Sequence, residues 1–177
     1  MVLTGANLSN SVLPDNGLSG KNFDYTIFNG VDLSGKYLSR STFQFASFDN
    51  TNLKNANLSG TKFLEVDLTI IKNKSLAGAD LSVNSFAHSN LSGVNLSGAI
   101  MQNNNFSSAN LSDLDFTVIS NASIIRAVYY GANLSNANFE GVNLYDNGIY
   151  RNILIDKAMW ADKSNLELTN DVLNTHL

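Results

Sequence analysis

Large apolar side chains return at every fifth residue along almost the whole chain. Leu3, Leu8, Leu13, Leu18, Phe23, Phe28, Leu33, Leu38, Phe43, Phe48, Leu53, Leu58, Phe63 and Leu68 form one series. Leu76, Leu81, Phe86, Leu91, Leu96, Met101, Phe106, Leu111 and Phe116 form a second. Ile124, Tyr129, Leu134, Phe139, Leu144, Ile149, Leu154 and Met159 form a third. This period matches neither the 3.6-residue repeat of a helix nor the two-residue repeat of a strand, so each unit must itself turn the chain. Self-similarity at a fixed short period is the mark of a solenoid.

Around each apolar centre the order of residue types is also fixed. Two positions earlier the side chain is usually small, as at Ala6, Thr26, Ala46, Ala56, Ala79, Ala99, Ala109, Ala132 and Ala137. Immediately before the centre Asn dominates, and after it come Ser and then Gly or another polar residue, giving the consensus Ala-Asn-Leu-Ser-Gly. In an extended stretch the small and the large residue point the same way, so both can face an interior. Asn, Ser and Gly then supply a bend, because Gly tolerates positive φ and Asn or Ser can bond the local backbone. Sides that bend alike close into coils, which stack with their backbone groups paired between layers.

With this consensus the chain resembles the pentapeptide-repeat family over residues 1–161. That resemblance implies an all-β fold: a right-handed quadrilateral β-helix, four pentads to a coil, with the centres filling nearly eight coils. At the spacing of paired strands the rod would be roughly 35 to 40 Å long. Residues twenty apart would then stack.

Two steps of eight residues interrupt the grid, Leu68 to Leu76 and Phe116 to Ile124, and their sequences are alike: Asp67-Leu68-Thr69-Ile70-Ile71 and Asp115-Phe116-Thr117-Val118-Ile119. Each is expected to be a bulged corner whose Ile or Val plugs the core, the alternative being a protruding loop that engages a partner. After Met159 the pattern stops. Residues 162–177 read as a short C-terminal helix with a Ser or Asn cap and Leu166, Leu173 and Leu177 near helical spacing. The last coil of a solenoid needs cover, so this second segment is expected to cap the rod or to form a dimer contact.

Composition narrows the function. Only 15% of the residues are charged, the net charge is -4, and cysteine is absent. Disulfides, thiolate metal sites and cysteine nucleophiles are thereby excluded. No apolar run approaches the roughly 18 residues of a membrane span, and no signal peptide is legible at the start. A cytoplasmic location is expected, or export by a route that reads no such signal. His88 and His176 stand far apart along the rod, and no catalytic or metal-binding motif occurs, so neither enzyme activity nor a cofactor is expected. His88, two after Phe86, should point outward.

Three features stand out from the uniform repeat. In the last coils the residue after the centre turns apolar, at Ile125, Tyr130, Tyr145, Tyr150, Ile155 and Trp160, with Arg126 and Arg151 near the same faces. Aromatics with arginine are the composition of a binding patch, for a second copy of the chain or another protein, unless the tail folds back over them. Tyr25 and Phe45, twenty apart, form a second aromatic group, with Tyr37 and Lys36 placed nearby. Asn84 and Asn104 at the small inward position should form an internal ladder, and Lys21, Lys36, Lys74 and Lys157 at that position require locally open, bulged or terminal coils.

The leading expectation is a rigid protein-interaction rod, resembling family modules that serve as scaffolds or recognition domains in bacteria, secreted effectors among them. The alternative from the same resemblance is a DNA-mimicking inhibitor or protector of type II topoisomerase. Duplex DNA carries about one charge per 1.7 Å. Here the position before the centre is acidic only at Asp32, Asp67, Asp80 and Asp115, which ranks mimicry second. Direct nucleic-acid binding ranks lower still, because the basic residues form no stripe.

Overall fold

A computed structural model of the chain describes residues 3–120, 127–140 and 142. Within them the backbone climbs as a coil of four sides, each joined to the next layer by a parallel bridge. Asn22↔Thr42, Ile27↔Ser47, Asp32↔Asn52 and Tyr37↔Asn57 are the four bridges linking one pair of layers, all twenty residues apart. The residue before each apolar centre makes the bridge and points outward, whereas the centre and the small residue before it point in.

The pairing between layers is regular. Leu8 N–H donates to Ile27 C=O at 2.8 Å, and Ile27 N–H donates back to Ala6 C=O at 2.9 Å. Most described corners are turns in which the centre's carbonyl accepts from the N–H three residues on, as in Thr26 N to Phe23 O at 3.0 Å. The third residue of the turn has positive φ, +67° at Gly20 and +57° at Asn10. That is the type II turn, which explains why Gly and Asn recur two after the centre.

Two side-chain devices explain the other preferences. Before the centre, Asn or Asp accepts from the backbone two residues later and from its hydroxyl. Ser97 donates to Asn95 Oδ1 through N–H at 2.9 Å and Oγ at 2.7 Å. Thr117 donates to Asp115 Oδ1 at 2.9 and 2.6 Å. These Asx turns hold each corner from outside and account for the Asn-Leu-Ser order. Inside, a Thr or Ser at the small position bonds a turn carbonyl of the layer before, as Thr26 Oγ1 does with Leu3 O at 2.7 Å and Thr51 Oγ1 with Phe28 O at 2.7 Å. Buried carbonyls therefore gain a second partner.

The core is a set of columns. Phe23, Phe43, Phe63, Phe86, Phe106 and Tyr129 stack on the first side with centroid separations of 5.2, 5.1, 5.4, 5.5 and 5.3 Å. Phe28 stacks on Phe48 on the second side at 5.3 Å, and Phe116 on Phe139 on the third at 4.4 Å. Each such ring pair adds about 0.5–1.5 kcal/mol beyond area burial, so the columns reinforce the register that the backbone sets.

In their described parts, 69–75 and 117–120, both eight-residue steps form bulged corners. Across them the bridge offset grows from twenty to twenty-three residues, as in Asn57↔Asp80 and Asn105↔Val128. Ile71 and Ile119 turn inward and are 3% and 4% exposed, while Ile70 and Val118 face out. The ladder resumes through equivalent bonds: Lys72 N to Thr51 O at 2.9 Å and Ser120 N to Ala99 O at 2.7 Å. A short 3-10 turn, Lys72–Lys74, completes the first bulge. The expectation that residues twenty apart stack is therefore corrected in these layers: Ser59 meets Ser82, not residue 79, with their hydroxyls 3.0 Å apart. The two bulges use adjacent corners, one after the second side and one after the third.

The inward polar positions are resolved in different ways. Asn84 and Asn104 form the expected ladder, Asn84 Oδ1 accepting Thr61 N–H and Asn104 Oδ1 accepting Asn84 N–H, both at 2.8 Å. Lys74 is exposed in the bulge and Lys21 is exposed where the first described layer passes into the second. Lys36 is largely covered but reaches Asp15 Oδ1 at 2.7 Å in the first layer. Lys157 lies outside the described residues, as do residues 143–177 and with them the expected C-terminal helix.

Candidate interaction surface

At the described corners the residue two after the centre holds positive φ, Asp15 and the bulge residues Ile70 and Val118 excepted. Glycine is free there, whereas a larger L residue is held at a cost of about 1–2 kcal/mol. Tyr25 and Phe45 hold φ of +59° and +57° on the corner between the first and second sides. Their rings stack at 5.0 Å with an interplanar angle of 10°, and they remain 59% and 40% exposed. Gly5 precedes Tyr25 in this corner column, and Glu65 and His88 follow Phe45.

The secondary group expected from the sequence is thereby divided. Tyr37 is 60% exposed but belongs to the fourth side, where it bridges Asn57. Twelve residues separate it from Tyr25, which in a four-sided coil is more than half a turn. Proximity in sequence does not give proximity on a rod whose sides turn every five residues.

Of the C-terminal group, Tyr130 is described, and it is 49% exposed on the same corner as Tyr25 and Phe45, one position earlier in the turn. Ile125, Arg126, Tyr145, Tyr150, Arg151, Ile155 and Trp160 lie outside the described residues. Five other large apolar side chains are exposed among the described residues: Val12, Ile70, Val83, Ile100 and Val118. The bulge sequences offer Ile70 or Ile71, and Val118 or Ile119, as core plugs, and only the direction of each corner shows which of the paired apolar residues turns out. Val83 and Ile100 were legible from their places two after and one before a centre.

Electrostatics on the described surface are local. The outward carboxylates serve the turns: Asp32 Oδ1 accepts Ser34 N–H at 3.0 Å, Ser34 Oγ at 2.7 Å and Asn52 Nδ2 at 3.0 Å. The Ser34 bonds, hydroxyl first, hold this carboxyl below its ordinary value of 3.8. The Lys36 ammonium, by its hydrogen bond and its charge, does the same for Asp15. His88 is exposed, as expected, and with Glu65, Val66, Asp67 and Asn90 it lines a shallow depression. Among the described residues no three His, Cys, Asp or Glu side chains are placed to hold a metal ion. Nor is any described helix long and apolar enough to cross a membrane.

Comparison with known proteins agrees with the repeat. A family model of pentapeptide repeats matches in eight copies over residues 37–69, 73–103, 85–117 and 112–146. No curated protein matches the sequence. Among solved structures, the chain is similar to HetL, a pentapeptide-repeat protein involved in heterocyst differentiation regulation in the cyanobacterium Nostoc sp. strain PCC 7120, with 23% identity, a TM-score of 0.48, and 90% of this chain and 80% of that one covered. It is also similar to QnrB1, a plasmid-mediated fluoroquinolone resistance protein, with 17% identity, a TM-score of 0.36, and coverage of 90% and 91%. A pentapeptide-repeat protein of the Arabidopsis thaliana thylakoid lumen shares 24% identity over 73% of this chain and 72% of its own, with a TM-score of 0.23.

Proposed function

The chain belongs to the pentapeptide-repeat family, and on that premise we propose that it is a non-enzymatic, rigid recognition rod whose exposed aromatic corner residues bind another protein. In full the rod is a right-handed helix of nearly eight coils, closed by a short helix over residues 162–177 that caps it or pairs it with a second copy.

One observation carries this reading. Tyr25 and Phe45 stand exposed in a backbone conformation that favours glycine, at a corner position where Gly and Asn recur. A strained, solvent-facing aromatic pair is a reasoned starting point for a binding role. The second group, Tyr130, Tyr145, Tyr150, Ile155 and Trp160 with Ile125, Arg126 and Arg151, is proposed as the contact for a second copy or for the same partner.

The test uses two variants of the full chain, Tyr25→Gly with Phe45→Asn, and Tyr150→Asp with Trp160→Asp. Light scattering reads self-association, and affinity capture from the source cell reads partner binding, each alongside a thermal melt. Loss of association by either variant with an unchanged melt supports the rod. Unchanged association in both removes the two patches.

Topoisomerase protection by DNA mimicry ranks second. The carboxylates of Asp32, Asp67, Asp80 and Asp115 are each engaged by the hydroxyl residue two positions on, so they read as turn caps. A gyrase supercoiling assay separates the two readings, since protection or inhibition by micromolar protein would reverse this order.

A further inference from the structure

Asn-Gly sequences are where an asparagine side chain can react with its own backbone, because glycine leaves the following N–H unshielded. The chain holds three: Asn16-Gly17, Asn29-Gly30 and Asn147-Gly148. The last lies outside the described residues. The first two have the same local sequence chemistry and opposite surroundings.

At Asn29 both reacting atoms are held. Gly30 N–H donates to Asp49 C=O at 2.8 Å, so the nucleophilic nitrogen is engaged in the ladder. Asn29 Oδ1 accepts Ser47 Oγ at 2.8 Å and Asp49 N–H at 3.2 Å, which fixes the side-chain amide away from it. Asn16 and Gly17 lie in the first layer where the corner loses its regular turn, and both are exposed. Among the described residues no hydrogen bond reaches either one, and the contact beside them is the Lys36–Asp15 ion pair at 2.7 Å. Gly17 also holds φ of +84° with open space around the place of a Cβ.

We propose that Asn16 is a site of spontaneous deamidation, a chemical ageing site built into the first described layer of the rod. The Gly17 backbone nitrogen attacks Asn16 Cγ and gives up its proton to solvent, and the side-chain nitrogen leaves as ammonia. Water then opens the cyclic imide at either carbonyl, giving aspartate or isoaspartate. The net reaction is amide plus water to carboxylate plus ammonium. Its product places a second carboxylate next to Asp15 and, in the iso form, lengthens the backbone by one methylene where the first layer closes. Of the two described sites only Asn16 is open to the reaction, because Gly30 N–H and Asn29 Oδ1 are both bonded to the next layer.

The experiment incubates the full chain at mildly alkaline pH, natively and in urea, and maps peptides by mass with an isoaspartate-specific methyltransferase as the probe. In the native chain the Asn16 peptide should convert at least about tenfold faster than the Asn29 peptide, as a held segment must open before it reacts. In urea the two rates should converge. A Gly17→Ala variant, checked for folding by its melt, should slow only the Asn16 reaction. Equal native rates at the two sites, or a native Asn16 as inert as Asn29, would overturn the proposal.

Discussion

Tyr25 and Phe45 stack at 5.0 Å on a corner where both hold positive φ. The stack returns about 0.5–1.5 kcal/mol, close to what the left-handed backbone costs at one of the two residues. Replacing either ring alone with glycine should therefore change stability by less than about 1 kcal/mol, and the double-mutant cycle should give a coupling in the range of the stack. Urea unfolding of the four species measures this. Zero coupling would mean that the rings do not brace the layers.

Val83 carries the opposite balance. It is β-branched, 59% exposed and held at φ +60°, with no ring partner to offset the strain. Val83→Asn should stabilise the rod by about 1 kcal/mol, since Asn tolerates this conformation. A raised melting temperature is the expected result, and a lowered one would show that Val83 is held by contacts its exposure conceals.

The bulges offer a paired comparison. Ile71 is 3% exposed and Ile70 is 42% exposed in adjacent positions. Ile71→Ala should cost about 2–4 kcal/mol, and Ile70→Ala less than about 0.5 kcal/mol. Similar losses at the two would contradict the plug, and chemical denaturation decides between them.

Asn110 joins three layers from the outside. Its Nδ2 donates to Asn90 Oδ1 at 3.1 Å, and its Oδ1 accepts Ser112 N–H at 3.2 Å and Asn133 Nδ2 at 3.1 Å. Asn110→Ala should cost about 1–2 kcal/mol, whereas Asn110→Asp keeps the acceptor and should lose less. Hydrogen exchange at the Ser112 amide should rise in the alanine variant and stay low in the aspartate variant.

Acid should weaken the corners that carboxylates hold. The Asp32 carboxyl lies below 3.8 in the fold because Ser34 bonds its charged form. A depressed folded value contributes stability that is present above the unfolded value and lost as pH falls through the folded one. Stability of the wild type should thus decline below about pH 4, and Asp32→Asn should flatten part of that decline. The melting temperature against pH for the two proteins tests it, and identical acid limbs would show that Asp32 contributes nothing.

The sequence alone determined the repeat, the inward and outward alternation, the stacked aromatics and the Asn84–Asn104 ladder. It did so because each is set within five residues or by an offset between layers that changes only at the two visible breaks in the repeat. Tertiary structure decided what depends on where a corner faces. Ile71 and Ile119 turn in while Ile70 and Val118 turn out, although both members of each pair are apolar. Tyr37 is carried away from Tyr25 because twelve residues are more than half a coil. Asn16 is left free and Asn29 is locked, although both precede glycine, because hydrogen bonds from the next layer reach the second pair and not the first. A repeat fixes which atoms recur, and the neighbouring layer fixes which of them are held.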